Sequence, residues 1–261
     1  MRLEPHEYHE ALAQLAWQVE LGADEAIGAV GVDRYAEKTS PKAVDKTVEK
    51  HVDTPVYVTT EPSNESARLA AGCGDLEALR AALEGFDGCG LKRGARSTVF
   101  SDGSPAARVM IVGEAPDKDE DMQGRPFVGK SGQLLDKMLA AIGLGRNAES
   151  PEDAVYITNV LPWRPPQNRE PLPDENTMMK PFLMRHIELV KPEVLLLVGD
   201  LSNQVLLNTN QRVARVRGQL HEVSGIPALP LFHPDYLLRT PAKKREAWAD
   251  LLMLKTRLDE G

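Results

Sequence analysis

The sequence lacks the features that mark secreted and membrane proteins. Its 261 residues include only two cysteines, Cys73 and Cys89, which are too few for a disulfide framework and suit a reducing compartment. No apolar run is long enough to cross a membrane, and the N-terminus has no apolar signal segment. We therefore expect a soluble, cytoplasmic protein with no membrane partner.

The sequence also lacks the net positive charge that many nucleic-acid-binding proteins carry. Its formal charge is −8 at pH 7. However, acidic side chains outnumber basic ones about two to one in residues 1–65, whereas the two kinds are nearly equal in residues 66–261. A local basic face that binds nucleic acid is therefore not excluded in the larger part of the chain.

Three segments are predicted along the chain. Residues 1–23 form an N-terminal amphipathic helix, because apolar side chains recur there at helical spacing. Residues 24–70 are acidic, have no sustained period and are predicted to be a flexible linker. Residues 71–261 form the folded domain, which begins with a capped helix near Asp75.

Short apolar runs alternate with amphipathic helices beyond residue 106. The predicted strands cover residues 108–113, 155–160, 194–198 and 228–232. Runs that are apolar on both faces and separated by helices are typical of a parallel sheet covered on two sides. The predicted fold class is therefore α/β, a three-layer sandwich with a central, mostly parallel four-stranded sheet flanked by helices. An alternating stretch at residues 211–223 suggests extra edge strands or a hairpin.

A polar loop rich in glycine and acidic side chains follows the first predicted strand, between Gly113 and Gly132. Taken alone, it could be a solvated loop. Because the carboxyl ends of parallel strands open onto one crevice, Glu114 is expected to meet Asn159, at the end of the second strand, and His233, which follows the last strand. An amide presents a donor and an acceptor in one plane, and an aromatic ring such as Phe127 presents a stacking face. These residues predict a pocket for a planar, nucleobase-like ring.

Four motifs occur in an order and spacing that resemble family 4 of the uracil-DNA glycosylase superfamily. They are GEAP at 113–116, Glu120-Asp121 with GRPFVG at 124–129, TNV at 158–160 with RPPQNR at 164–169, and HP at 233–234 with YLLR at 236–239. The resemblance covers about residues 75–258 and leaves residues 1–70 outside. It implies a monofunctional enzyme that flips uracil out of single- or double-stranded DNA, hydrolyses its N-glycosidic bond and leaves an abasic site for base-excision repair.

The resemblance also implies roles for single residues. Phe127 stacks on the uracil, Asn159 bonds its Watson–Crick edge, and His233 faces O2, where negative charge builds as the bond breaks. The further implied uracil contacts are Ala115, Pro116 and Asp117. The implied catalytic residues are His233 and three others at active-site positions of the family, where a carboxylate orients water or stabilises the cationic sugar: Glu114, Glu120 and Asn168. The choice of water-activating carboxylate stays open, because the sister family has Asp where this chain has Ala115.

The segment after His233 resembles the DNA insertion loop of the family. Leu237 and Leu238 are expected to wedge into the base stack, with Arg239 near a phosphate. The alternative is an ordinary helix start that buries two leucines. Extrusion of a base costs least when it is mispaired or single-stranded.

The chain departs from the family at the position of its metal centre. Family 4 members hold a [4Fe–4S] cluster with four cysteines, and the aligned positions here are Phe86, Cys89, Trp163 and Met179. A cluster needs about four thiolates, and Cys73 lies too far upstream to restore the set. We predict that the cluster is lost, that no metal is bound, and that the large apolar side chains fill the vacated volume.

A second departure is Asp117, where the family commonly has Gly. A carboxylate at this position can change how the pocket accepts a substituent at C5 of the base. The sequence therefore does not decide whether thymine is rejected. Two other readings of the whole chain also stay open: a catalytically weak module that binds uracil or damaged DNA, and a glycosylase for another deaminated base. We expect a nucleoid-associated monomer; the sequence does not identify partners for the N-terminal segment.

Overall fold

The computed structural model describes residues 61–260 of the chain. The helices in this part are α1 Glu61–Ala71, α2 Leu76–Gly85, α3 Lys118–Gln123, α4 Gly129–Ala140, α5 Pro173–Val190, α6 Asp200–Leu207, α7 Val213–Val216, α8 Pro234–Arg239 and α9 Lys244–Glu260. The strands are β1 Asp102–Gly103, β2 Val109–Gly113, β3 Val155–Asn159, β4 Val194–Val198, β5 His221–Val223 and β6 Ile226–Leu231. The helix predicted for residues 1–23 lies outside the described residues.

The strands form one sheet in the order β1-β3-β2-β4-β6-β5. The four central strands run parallel, as predicted, and each is almost wholly buried because helices cover both faces. The sheet has six strands rather than four, since β1 and β5 add short antiparallel edges. Only the last three residues of the alternating stretch 211–223, which suggested edge strands or a hairpin, form β5, whereas residues 213–216 of that stretch form α7. β1 is a two-residue strand with no apolar pattern to reveal it.

Alternate side chains of the central strands enter two separate apolar clusters, one on each face of the sheet. On β2, Met110 and Val112 belong to the first cluster, and Val109 and Ile111 belong to the second. The first cluster includes side chains of α1, α2 and α5, and the second includes side chains of α4 and α9. This arrangement is the predicted three-layer sandwich, with the carboxyl ends of the parallel strands free to carry a site.

Helix α1 differs from the prediction, because residues 61–70 were expected to belong to the linker. They are helical, and the helix packs against α5, with Ser66 and Ala70 fully or almost fully buried. The sequence did not reveal this helix because most of its residues are polar and only one narrow face of it is buried. No helix within residues 61–260 is long and apolar enough to span a membrane.

Candidate active site

The carboxyl ends of β2 and β3 bring an amide and an aromatic ring together over Gly113. Gly113 pairs with Asn159 across the two strands. A Cβ atom on Gly113 would lie 2.3 Å from Asn159 Oδ1 and 2.5 Å from Phe127 Cε2, so only glycine fits at this position. The Phe127 ring is also stacked near His233, with ring centroids 5.6 Å apart and planes inclined by 29°. Three of the predicted site residues therefore meet in one place.

Asn159 carries a hydrogen-bond donor that has no partner among the described residues. Its side chain is 6% exposed, and its Nδ2 atom is buried without an acceptor. A buried donor left unsatisfied costs about 1–3 kcal/mol. A ligand with an acceptor at this position would recover that free energy.

His233 is held in one tautomer by the start of the helix that follows it. It is the N-cap residue of α8, and its Nδ1 atom accepts the backbone N–H of Asp235 at 3.2 Å. The neutral ring therefore carries its proton on Nε2. Burial lowers the pKa of His233, although the negative charges of Glu114 and Asp235 oppose the shift. The neutral imidazole is thus favoured, with Nε2–H as a donor.

Glu120 binds two backbone amides of the polar loop. Its Oε1 atom accepts the N–H of Phe127 at 2.5 Å, and Oε2 accepts the N–H of Asp117 at 3.0 Å. Asp117 in turn accepts the N–H groups of Asp119 and Glu120, so the pair forms a capping box at the start of α3. Burial, together with the charge of Asp117, raises the pKa of Glu120 to about 7 despite the two hydrogen bonds. This side chain fixes the loop beneath the pocket.

Glu114 is held at the start of α6. Its Oε1 atom accepts the backbone N–H of Leu201 at 3.0 Å. The carboxylate lies directly against Gly199, where a Cβ atom would come within 2.4 Å of Oε1. The negative charge of Glu114 lies within electrostatic range of the imidazole of His233.

Comparison with known proteins identifies the family of this chain. A sequence profile described as the Uracil DNA glycosylase superfamily matches residues 100–252, more than half of the chain. This chain belongs to the uracil DNA glycosylase superfamily. Relatives named Type-4 uracil-DNA glycosylase are 38% identical over 170 residues in Archaeoglobus fulgidus and 37% identical over 153 residues in Thermotoga maritima. The alignments cover 62% and 58% of this chain, and 82% and 77% of the relatives.

Some residues predicted for the glycosylase site are not shown in contact with the pocket. Asn168 is exposed, with a left-handed backbone (φ 55°), and its Oδ1 atom accepts Arg164 Nε at 2.7 Å. Ala115 and Asp117 are half-buried, and Pro116 is buried, all beside Glu114 in the chain. Ala115 packs against the first apolar cluster.

The DNA-insertion prediction needs one correction. Leu237 is fully buried in the second apolar cluster, so it is part of the core and does not project from the surface. Leu238 is 39% exposed, and Arg239 is exposed and paired with Asp235 at 3.3 Å. Two adjacent leucines on a helix point in different directions, so only one of them is free for DNA.

The positions that hold iron in family 4 glycosylases do not supply a ligand set here. Phe86, Cys89, Trp163 and Met179 are each 1% exposed and belong to the same apolar cluster. The Phe86 ring folds over the adjacent loop, where a Cβ atom on Gly88 would lie 2.5 Å from its Cζ atom. Within the described residues, no group of three or more His, Cys, Asp or Glu side chains is arranged to hold a metal. Residues with one thiol and three bulky apolar groups do not fit a four-thiolate cluster.

Sequence reasoning missed one charged residue beside the pocket, Arg146. It lies in the loop after α4, and its guanidinium donates to the carbonyl oxygens of Pro126 and Phe127 at 3.0 and 2.9 Å. No motif marks it, because a single arginine in a loop is usually a surface residue. Its burial, with only 7% of the side chain exposed, is visible only in the fold.

Proposed function

We propose that this protein is a monofunctional uracil-DNA glycosylase. It flips uracil out of DNA, hydrolyses the bond between N1 of the base and C1′ of the sugar, and leaves an abasic site for base-excision repair. Superfamily membership and the names of the relatives support this reaction. The observation that carries the proposal is the unpartnered Nδ2 atom of Asn159, which lies beside the stacked rings of Phe127 and His233.

Asn159 selects the base by its hydrogen-bonding edge. Nδ2–H donates to O4 of uracil, and Oδ1 accepts N3–H. Cytosine has an amino group at position 4 and an unprotonated N3, so it would place donor against donor and acceptor against acceptor. Each unsatisfied buried group costs about 1–3 kcal/mol, and this difference excludes cytosine, the normal base. Ala115, Pro116 and Asp117 are the proposed further contacts of the base.

His233 stabilises the leaving group. When the C1′–N1 bond breaks, the bonding electrons leave with the base as an anion whose charge is shared by O2. The Nε2–H donor of His233 is proposed to face that oxygen, and a preorganised donor of this kind is worth roughly 10²- to 10³-fold in rate. Because Nδ1 is occupied by Asp235 N–H, the imidazole acts as a neutral hydrogen-bond donor.

Glu114 is the better candidate for the carboxylate that assists water. Both oxygens of Glu120 bind backbone amides, which leaves that side chain a structural role in the loop. Glu114 lies within electrostatic range of His233, and its negative charge is proposed to stabilise the cationic sugar and to orient the water that adds to C1′. The water proton passes to solvent. No motif places a lysine for a Schiff base, so no strand cleavage accompanies base release.

DNA is held by exposed groups around the mouth of the pocket. Leu238 is proposed to fill the space that the extruded nucleotide leaves, with Arg239 near a phosphate. Asn168 lies in an exposed loop that contains two successive left-handed residues, and this loop is proposed to contact the DNA as well. Since extrusion costs a few kcal/mol in a matched duplex, single-stranded uracil and uracil opposite guanine are the preferred substrates.

The enzyme is further proposed to work without an iron–sulfur cluster, as a monomer in the cytoplasm on the nucleoid. The support for the first statement is the donor set, in which three of the four positions carry no thiol. Iron and sulfide analysis of protein purified without oxygen tests it, and a stoichiometric content of both would refute it. Sedimentation with and without DNA tests the monomer.

The function is tested by single-turnover reaction with an oligonucleotide that carries one uracil. Three substrates are compared: the single strand, and duplexes in which uracil lies opposite guanine or opposite adenine. The products are separated both without and with treatment by alkali. Strand cleavage that appears only after alkali is expected, with the duplex opposite adenine slowest. Cleavage before alkali would contradict the monofunctional reaction.

The same reaction separates the other readings. Uracil-dependent binding without base release would support the binding module. Release of hypoxanthine, but not of uracil, from matched oligonucleotides would support a glycosylase for another deaminated base.

A further inference from the structure

The backbone at Phe127 adopts a conformation that a phenylalanine does not choose by itself. Its φ angle is +51°, in the left-handed region, which costs on the order of 1 kcal/mol for a residue with a Cβ atom. The ring is nevertheless only 2% exposed. The surrounding structure must therefore hold this peptide in place.

Two charged side chains form hydrogen bonds with the backbone of Phe127, one at its N–H group and the other at its carbonyl oxygen. Glu120 accepts the N–H of Phe127, and Arg146 Nη2 donates to its carbonyl oxygen at 2.9 Å. Arg146 Nη1 also donates to the preceding carbonyl, that of Pro126, at 3.0 Å. A Cβ atom on Gly132 would lie 1.7 Å from Phe127 O, so the carbonyl rests against the first turn of α4 as well.

Arg146 is itself fixed by two carboxylates on different elements. Asp102 on β1 lies 2.8 Å from Nη1, and Asp136 on α4 accepts Nε at 2.9 Å. The planar guanidinium fork thus uses all three nitrogens, and only 7% of the side chain is exposed. A guanidinium held in this way fixes the loop that contains Phe127 relative to the sheet and to α4. The flexible ammonium group of a lysine would not fix it as closely.

We propose that Arg146, anchored by Asp102 and Asp136, is a positioning residue that sets the plane of the Phe127 ring against the base. The inference deepens the proposed function, since it rests on Phe127 being the stacking residue. Displacement of a group by about 1 Å at a reacting centre costs up to about 10²-fold in rate. Arg146 therefore acts on catalysis through Phe127 without touching the substrate.

A matched control exists in the same chain. Arg108 also binds one carboxylate, Glu193 at 2.8 Å, and one backbone carbonyl, that of Leu258 at 3.2 Å. It precedes β2, at the opposite end of the sheet from the pocket. Arg108→Ala therefore removes the same charge and the same kinds of contact without disturbing Phe127.

The experiment combines kinetics with a direct measurement of the ring. The protein is labelled with 4-fluorophenylalanine, which gives signals from five phenylalanines, and Phe127→Leu identifies the signal of Phe127. Arg146→Ala is expected to shift that fluorine signal and to lower the single-turnover rate roughly 10- to 100-fold. Affinity for uracil-free DNA should not change, and Arg108→Ala should change none of these quantities.

The outcomes distinguish positioning from general stability and from failure of the proposed function. An unshifted Phe127 signal, or a rate within about twofold of wild type at a temperature where the variant is folded, would overturn the inference. If the wild-type protein releases no uracil, the function fails, while the fluorine shift still decides whether Arg146 positions Phe127. If Arg146→Ala does not fold, Asp136→Asn takes its place, because Asp136 is partly exposed. A shifted Phe127 signal in that variant supports the inference, and an unchanged signal refutes it.

Discussion

The pocket and the apolar core at positions 86, 89, 163 and 179 are built in opposite ways. The pocket keeps an unsatisfied amide at Asn159, a strained backbone at Phe127 and a carboxylate with a raised pKa at Glu120. The apolar core contains two buried aromatic rings and the buried thioether of Met179. The indole N–H of Trp163 donates a hydrogen bond to Thr98 Oγ1 at 3.1 Å. Of these two regions, only the pocket carries features that destabilise the fold, as expected of a functional site.

From this difference we expect the two regions to contribute separately to function. Family resemblance places a metal cluster at the apolar core, yet the chain has apolar side chains there and keeps the pocket motifs. The two regions are close in sequence, since Trp163 follows Asn159 by four residues. The core is therefore expected to support the strand end that carries Asn159 through packing alone.

The largest expected effect comes from removing the unsatisfied amide. Asn159→Ala should lower the single-turnover rate of uracil release by roughly 10³-fold or more, because the base edge loses both of its partners. Stability should not fall, since the donor makes no hydrogen bond within residues 61–260. Rates and denaturant unfolding measured on the same preparation check both statements.

Asn176→Ala is the matched control for this change. Asn176 on α5 also has a buried side-chain atom without a partner, its Oδ1, but it lies outside the pocket. Its variant should release uracil at the wild-type rate. A comparable loss of rate in both variants would show that the effect of Asn159 is not base recognition.

Breaking the apolar core should affect stability and leave chemistry intact. Trp163→Ala removes a ring that is 1% exposed, and such truncations cost about 3–5 kcal/mol. At low temperature, where the variant remains folded, the rate of uracil release should stay close to that of wild type. Trp248→Ala, at a site 41% exposed, should cost well under about 1 kcal/mol. A small loss for Trp163→Ala would contradict the packed core.

The sequence predicted the parts of the site that depend on strand ends. Glu114, Asn159 and His233 each follow an apolar run, and parallel strands bring such ends together whatever the rest of the chain does. Leu237 could not be assigned in this way, because two adjacent leucines give no sign of which one faces the core. Nor could Arg146, whose partners come from β1, α4 and the pocket loop and are assembled only by tertiary packing.

The pKa of Glu120 gives a test that depends on pH. The pKa of this carboxyl group is near 4.3 in the unfolded chain and about 7 in the folded protein. The group therefore contributes its full stabilisation of the fold at pH values below about 4.3. That stabilisation is lost as pH rises through about 7, by about 3–4 kcal/mol in total. The free energy of unfolding of wild type, relative to that of Glu120→Gln, should therefore fall between pH 4.5 and 7.5.

Equilibrium unfolding in denaturant at several pH values measures this difference. Subtracting the Glu120→Gln curve removes contributions from the other titrating groups. A difference that stays constant with pH would mean that Glu120 is ionised throughout. In that case its two backbone hydrogen bonds, and not its burial, control its charge.

The smallest effect is expected at the one cysteine that the cluster positions retain. Cys89 is 1% exposed, and burial raises the pKa of its thiol, so it exists as a protonated apolar group. Cys89→Ala should therefore cost about 1 kcal/mol or less and leave the rate of uracil release unchanged. Loss of activity or of the fold would mean that the thiolate holds a bound group, and the apolar core would then resemble the pocket in depending on one polar atom.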